Sequence, residues 1–385
     1  MRDDSFLDQV RHALRGDDPP AGAAPVLPGF WGEVLAGIAL RGDDPRPART
    51  AAPTPDARQR RHAVRWRLRL ARLGVRARLS GKDLRGVALP GVRLPRAHLH
   101  GAQLAAADLS GADLTLARLP GANLSGADLA RARLRQADLS GALLPRADLR
   151  GADLGGARLA HAALRAARLD DADLRRADLR QATLRNAVLS RARLDDADLR
   201  RANLTGAALD HAELRAANLG SAVLTEAALD HADLAHAHLG SACLAGASLT
   251  GASLPQSLLI AANLYRADLT GADLQQADLR GAGLEGATLH RARLLRANLR
   301  GARLDDADLS EAPMSEAVLH EARLHGAVLT GARCLTLPLI ANARWTRETR
   351  WPAYLHDLVH HSSDEVEPGV FRVRPPGPSR DRVAV

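Results

Sequence analysis

The sequence predicts an all-β solenoid, a stack of short extended sides joined by tight corners, and three observations carry that prediction. Leucine occupies every fifth position from Leu79 to Leu329, broken only by Met314. Alanine stands two residues before each of these positions, except at Lys82, Val87, Val92 and Ser257. Aromatic residues make up 2% of the chain against a hydrophobic fraction of 46%, so the core must be narrow and aliphatic. A fixed short period outranks chain length as a guide to architecture, and the 385 residues read as a repeat array with flanks rather than as two or three ordinary domains.

A helix cannot hold this ladder. At roughly 100° per residue, side chains five apart rotate by about 140° each time and spread around the cylinder. In an extended segment, Ala and the Leu two residues on point to the same side. The next Ala comes three residues later, which breaks the alternation and requires a corner. Pro90, Pro95, Pro120, Pro145 and Pro255 directly follow the leucine, where a φ of about −65° suits the first corner residue. Gly81, Gly91, Gly111, Gly121 and Gly151 stand one place further on. Corners close the sides into coils, and coils about 4.8 Å apart pair their backbones with the coils above and below.

Ahead of the array, residues 1–57 contain two apolar stretches, Phe6 to Leu14 and Phe30 to Leu40, each ending in Leu-Arg-Gly-Asp-Asp-Pro. Gly16 and Gly42 fall where helices stop, so this part reads as a flexible leader with two short helices. Residues 58–76 carry eight arginines and no acid, which accounts for most of the net charge of +9. They read as a basic helix capping the first coil, since an array needs a terminal unit with a polar outer face. Its Arg58, Arg60, Arg61, Arg65, Arg67 and Arg69 are candidate contacts to nucleic acid, because clustered arginine binds phosphate.

The array itself spans 77–339. Within it, Leu258 and Ile260 fall on outward positions near Tyr265, a candidate contact patch. Beyond it, residues 340–361 bring Trp345, Trp351, Tyr354, Leu355 and Leu358, with Pro352 placed to open a short helix. They are expected to cap the last coil, and Trp345 and Trp351 are candidate contacts in a homodimer paired through this end. Residues 362–385 read as a disordered tail.

Chemistry is scarce. There is no phosphate loop, no nucleophile beside a base, and no metal-ligand spacing around Cys243 and Cys334. An enzyme is not expected, nor a cofactor or metal. Two cysteines suit a reducing compartment, and without an apolar leader or a stretch of about 18 apolar residues the chain reads as cytoplasmic with no membrane span.

The runs ADLSGADLTLARLPGANLSGADL (107–129) and ANLYRADLTGADLQQADLRGAGL (262–284) resemble the A(D/N)LXX signature of the pentapeptide-repeat family. The resemblance implies a right-handed quadrilateral β-helix with four pentads per coil, about 13 coils over roughly 60 Å, to which the residue patterns read above add short α-helical caps or extensions at both ends. It also implies an activity to test, protection of type II topoisomerases by mimicry of duplex DNA. Sorting outward residues by position modulo 20 finds one acidic face, with five Arg against ten acids that include Asp108, Asp128, Asp148, Asp210 and Asp230. A duplex carries far more charge, about one per 1.7 Å. The preferred reading is a non-enzymatic scaffold for an unknown protein partner. A topoisomerase-binding protein and a nucleic-acid binder using 58–76 are the alternatives.

Overall fold

The computed structural model describes residues 77–375. The leader, the basic segment 58–76 and residues 376–385 lie outside the described residues.

One pentad shows how the array is built. Asp108 forms parallel bridges with Ala88 on one side and Asp128 on the other, and Asp128 with Asp148, so each turn of chain takes 20 residues, or four pentads. The Asp108 N–H donates to Val87 O of the preceding coil at 2.9 Å. The N–H groups of Leu109 and Gly111 donate to Asp128 O and Ala130 O of the next coil, at 2.7 and 2.8 Å. Ala112 N–H closes the corner on Leu109 O at 2.9 Å, and Gly111 has φ +62°. Positive φ at the third corner residue, with proline favoured at the second, is type II turn chemistry. That is why glycine recurs at this place.

The fifth donor, Ser110 N–H, has no backbone partner and is taken by Asp108 Oδ1 at 3.1 Å. This is an Asx turn, a carboxylate or amide capping the N–H two residues on. Thr115, Ser125, Ser140 and Thr205 are capped in the same way by Asp113, Asn123, Asp138 and Asn203. Every backbone donor of such a pentad is therefore satisfied. Where proline follows the leucine there is no donor to cap, and the residue before that leucine is then Ala88, Arg93, Arg118, Leu143 or Ser253, never Asp or Asn.

Ala and Leu side chains fill the interior, almost all at 0–1% exposure. Met314 takes a leucine place and is fully buried. Ser257 replaces an inward Ala and satisfies its hydroxyl on Leu254 O at 2.7 Å. Lys82, at an inward position of the first described coil, is exposed.

Beyond Arg333 the 20-residue step lengthens, as the bridges Arg323↔Arg344 and Val328↔Arg350 show. A 3-10 turn (Leu337–Ile340), strand β1 (Arg344–Thr346), helix α1 (Ala353–His361) and strands β2 (Ser363–Glu367) and β3 (Val370–Val373) follow. The three strands form an antiparallel sheet in the order β1-β3-β2. Leu335, Ile340, Trp345, Trp351, Leu355, Val359 and Val373 extend the core of the coils without a break. Residues 363–373 thus correct the expectation of a disordered tail from 362 onward. The acidic run SSDEVEPG masks a hairpin in which Gly369, at φ +76°, makes the turn and Phe371 stacks on Trp345 at 4.7 Å.

Candidate functional site

With the inward positions committed to packing and the donors to the ladder, any function falls to the outward side chains. Many of these neutralise each other. Asp148, Asp173, Asp178, Asp198 and Asp278 each pair with the arginine two residues on, at 2.5–2.7 Å. Other pairs join successive coils, as in Arg191–Asp171 at 2.8 Å and Arg296–Glu316 at 2.9 Å. Hydrogen bonding from Arg175 holds the Asp173 carboxyl below its usual range, and Arg180 does the same for Asp178. At Asp148, burial pushes the pKa up, but hydrogen bonds from Arg150 outweigh it and the net direction is down. Exposed pairs of this kind add little to stability, because water screens them.

The acidic face is thinner than its composition suggests. Asp148, Asp170, Asp171 and Glu311 are matched by Arg150, Arg168, Arg191 and Arg291. Among the described residues, Asp108, Asp128, Asp210, Asp230, Asp268 and Asp308 have no arginine at ion-pair distance. Most of these also serve the fold. Asp128 caps Ala130, Asp268 caps Thr270 and Asp308 caps Ser310. Asp230 reaches into the next coil, where its Oδ1 accepts from Thr250 N–H at 3.1 Å and from the Ser248 hydroxyl.

Leu258, Ile260 and Tyr265 are exposed by 36%, 37% and 45%, on two neighbouring sides of the coil. Arg266 lies over the Tyr265 ring at 5.1 Å. Trp345 and Trp351 are 1% and 4% exposed, which corrects their place among the contact candidates: they are core residues of the C-terminal segment. Tyr354 and Leu358 are exposed there instead. Arg58, Arg60, Arg61, Arg65, Arg67 and Arg69 lie outside the described residues. Nearest to them in sequence, an open cleft on the first coils is lined by Arg96, His98, His100, Arg118, Arg158 and Asp138. Sequence reasoning missed this cleft, whose signal is the 20-residue spacing that stacks His98, Arg118, Asp138 and Arg158.

His211 and His231 stack on successive coils with ring centroids 5.1 Å apart. Among the described residues, no group of three or more His, Cys, Asp or Glu is arranged to hold a metal ion, and no helix is long and apolar enough to cross a membrane.

The pentapeptide-repeat profile matches in segments that run from 77 to 333, overlapping up to 294 and resuming at 297. A comparison with curated proteins finds no match. Among solved structures the chain is similar to HetL, a pentapeptide repeat protein involved in heterocyst differentiation regulation from the cyanobacterium Nostoc sp. strain PCC 7120. The identity is 40% over 50% of this chain and 84% of that one, with a TM-score of 0.41. Rfr23 from the cyanobacterium Cyanothece 51142 is 37% identical over 23% of this chain and 62% of its own, at a TM-score of 0.23. Full-length QnrB1, a plasmid-mediated fluoroquinolone resistance protein, is 17% identical over 56% of this chain and 95% of its own, also at 0.23. These scores carry no functional argument.

Proposed function

We propose a function from the premise that this chain belongs to the pentapeptide-repeat family: it is a non-enzymatic, cytoplasmic scaffold of about 13 coils that presents a charged side to a protein partner. One observation carries the reading. Asp and Asn cap the corner N–H equally well, as Asp108 and Asn123 do at 3.1 Å each. Yet at the capping position the side holding Asp108, Asp128, Asp148, Asp268 and Asp308 contains no Asn, whereas the side holding Asn123, Asn203 and Asn263 has Asp there only at Asp83. The fold does not require that difference. The side of Asp113, Asp153, Asp173, Asp233 and Asp273 also lacks Asn at its caps, but the last four of those carboxylates pair with arginine, so unmatched charge gathers on the side of Asp108, suited to a basic protein surface.

Asp-to-Asn changes at 108, 128, 268 and 308 remove charge while keeping the cap. Partners captured by the native protein are expected to be lost by this variant at unchanged stability, and an unchanged set of partners refutes the reading.

A topoisomerase reading rests on the same side, but six unmatched carboxylates over the ten coils from Asp108 to Asp308 give about one charge per 8 Å at ~4.8 Å per coil. A duplex has one per about 1.7 Å. A supercoiling assay with and without quinolone decides it, and no effect at saturating protein removes it. The nucleic-acid reading draws on the arginines of 58–76 in the sequence and, separately, on the cleft of Arg96, Arg118 and Arg158. It requires salt-dependent DNA binding that falls when Arg65, Arg67 and Arg69 are replaced by alanine.

A further inference from the structure

Helix α1 carries a histidine pair that the coil array does not use. His356 and His360 are four residues apart, which puts both imidazoles on one face. Their ring centroids are 4.4 Å apart and their planes are inclined by 36°. Two imidazoles bound side by side to one ion, each nitrogen about 2.0–2.1 Å away, place their centroids on the order of 4.5–5 Å apart. The pair already stands at that separation, and the soft terminal torsion of histidine allows the remaining alignment. The His211–His231 pair makes the contrast. Its rings are stacked at 14°, so their in-plane lone pairs run alongside each other and do not meet.

Two neighbours prepare the ligands. His356 Nδ1 lies 3.0 Å from Asp357 Oδ1, and that carboxylate holds the proton on Nδ1, which leaves the Nε2 lone pair outward. His360 packs edge-on against Trp345 at 4.7 Å.

We infer that His356 and His360 form a binding site for a late first-row divalent cation of the zinc type, with Asp357 orienting His356 and water completing the coordination shell. An ion held there clasps one turn of α1 and stabilises that helix. Two protein ligands, with the positive Arg347 nearby, place the affinity in the micromolar class.

Calorimetry of the full chain with zinc, and tryptophan fluorescence with copper, test the site. One equivalent is expected to bind with a Kd on the order of micromolar, and copper is expected to quench Trp345. His356→Ala, at an exposed position, should weaken zinc at least tenfold and abolish that quenching at an unchanged circular dichroism spectrum. Asp357→Asn should weaken it by about 10-fold or more, and His211→Ala should leave it unaltered. Absence of zinc heat up to about 1 mM, or equal binding by native protein and His356→Ala, overturns the inference.

Discussion

The corner cap can be tested by removing it and then removing the need for it. Asp138 Oδ1 accepts from Ser140 N–H at 3.1 Å and from the Ser140 hydroxyl at 2.7 Å. Asp138→Ala deletes both bonds and leaves a half-buried donor to water alone, a loss of about 1–2 kcal/mol. For an array of this size that is roughly 2–4 °C of thermal midpoint per kcal/mol, read by far-UV circular dichroism. Adding Ser140→Pro to the Asp138→Ala variant then eliminates the orphaned donor. The change is compatible with the backbone, because Pro120 occupies the equivalent place one coil away, behind Arg118, which bridges Asp138. Ser140 O still accepts from Gly121 N–H at 3.0 Å, and proline leaves that carbonyl intact. Proline also lowers the entropy of the unfolded chain, worth about 0.4–1 kcal/mol. The double variant should therefore recover most of the loss, and Asp138→Asn should stay near the native midpoint. A double variant less stable than Asp138→Ala refutes the capping argument.

Ala106 sits in the left-handed region at φ +55° and Gly121 at φ +64° with open space around its missing Cβ. Ala106→Gly should raise the stability by a fraction of 1 kcal/mol and Gly121→Ala lower it by about 1 kcal/mol, read as shifts of the thermal midpoint. Trp345→Ala empties the centre of the C-terminal segment, at about 3–5 kcal/mol. Hydrogen exchange should show β2 and β3 losing protection while the middle coils keep theirs. The folded-state pKa values of Asp173 and Asp178 are depressed, so their pairs stabilise above the unfolded carboxylate pKa and that stability disappears as pH falls through the folded values. Asp195 runs the other way: burial raises its pKa, and Glu213 adds to the rise against the opposing hydrogen bond from Arg215 N–H. Asp195→Asn should therefore raise the midpoint at pH 7 and lose that advantage in acid, as a pH series of melts would show.

Most of the coil was legible because its period is enforced by two inward side chains that tolerate almost no exchange. Proline after the leucine and glycine beyond it mark the second and third residues of the corner, and the structure places them there. The reason for Asp or Asn before the leucine was also readable from the proline-containing pentads, since only a pentad with an N–H after its leucine needs a cap. The ends were less legible. Trp345 and Trp351 looked like contact residues because aromatic side chains serve both cores and interfaces, and composition alone does not tell them apart. The hairpin was hidden because the residues of β2 and β3 are exposed or half-buried, leaving Val373 as the only fully buried member of either.

The Asp–Asn exchange also bears on what kind of partner a charged side can take. Negative charge can be added or removed at every capping position without touching the ladder, so the fold sets no ceiling on charge below one carboxylate per pentad. Mimicry of a duplex would press toward that ceiling on at least one side. Instead the side of Asp108 has Arg168, Val188, Ala208, Ala228 and Ser248 in the middle of the column, and Asp148 is matched by Arg150. The unmatched carboxylates then fall into two runs, Asp108 and Asp128 near one end and Asp210, Asp230, Asp268 and Asp308 toward the other, with matched or neutral residues over the coils between Asp128 and Asp210. Grouped charge separated by neutral stretches suits discrete basic patches on a protein better than the uniform backbone contacts of an enzyme that tracks DNA.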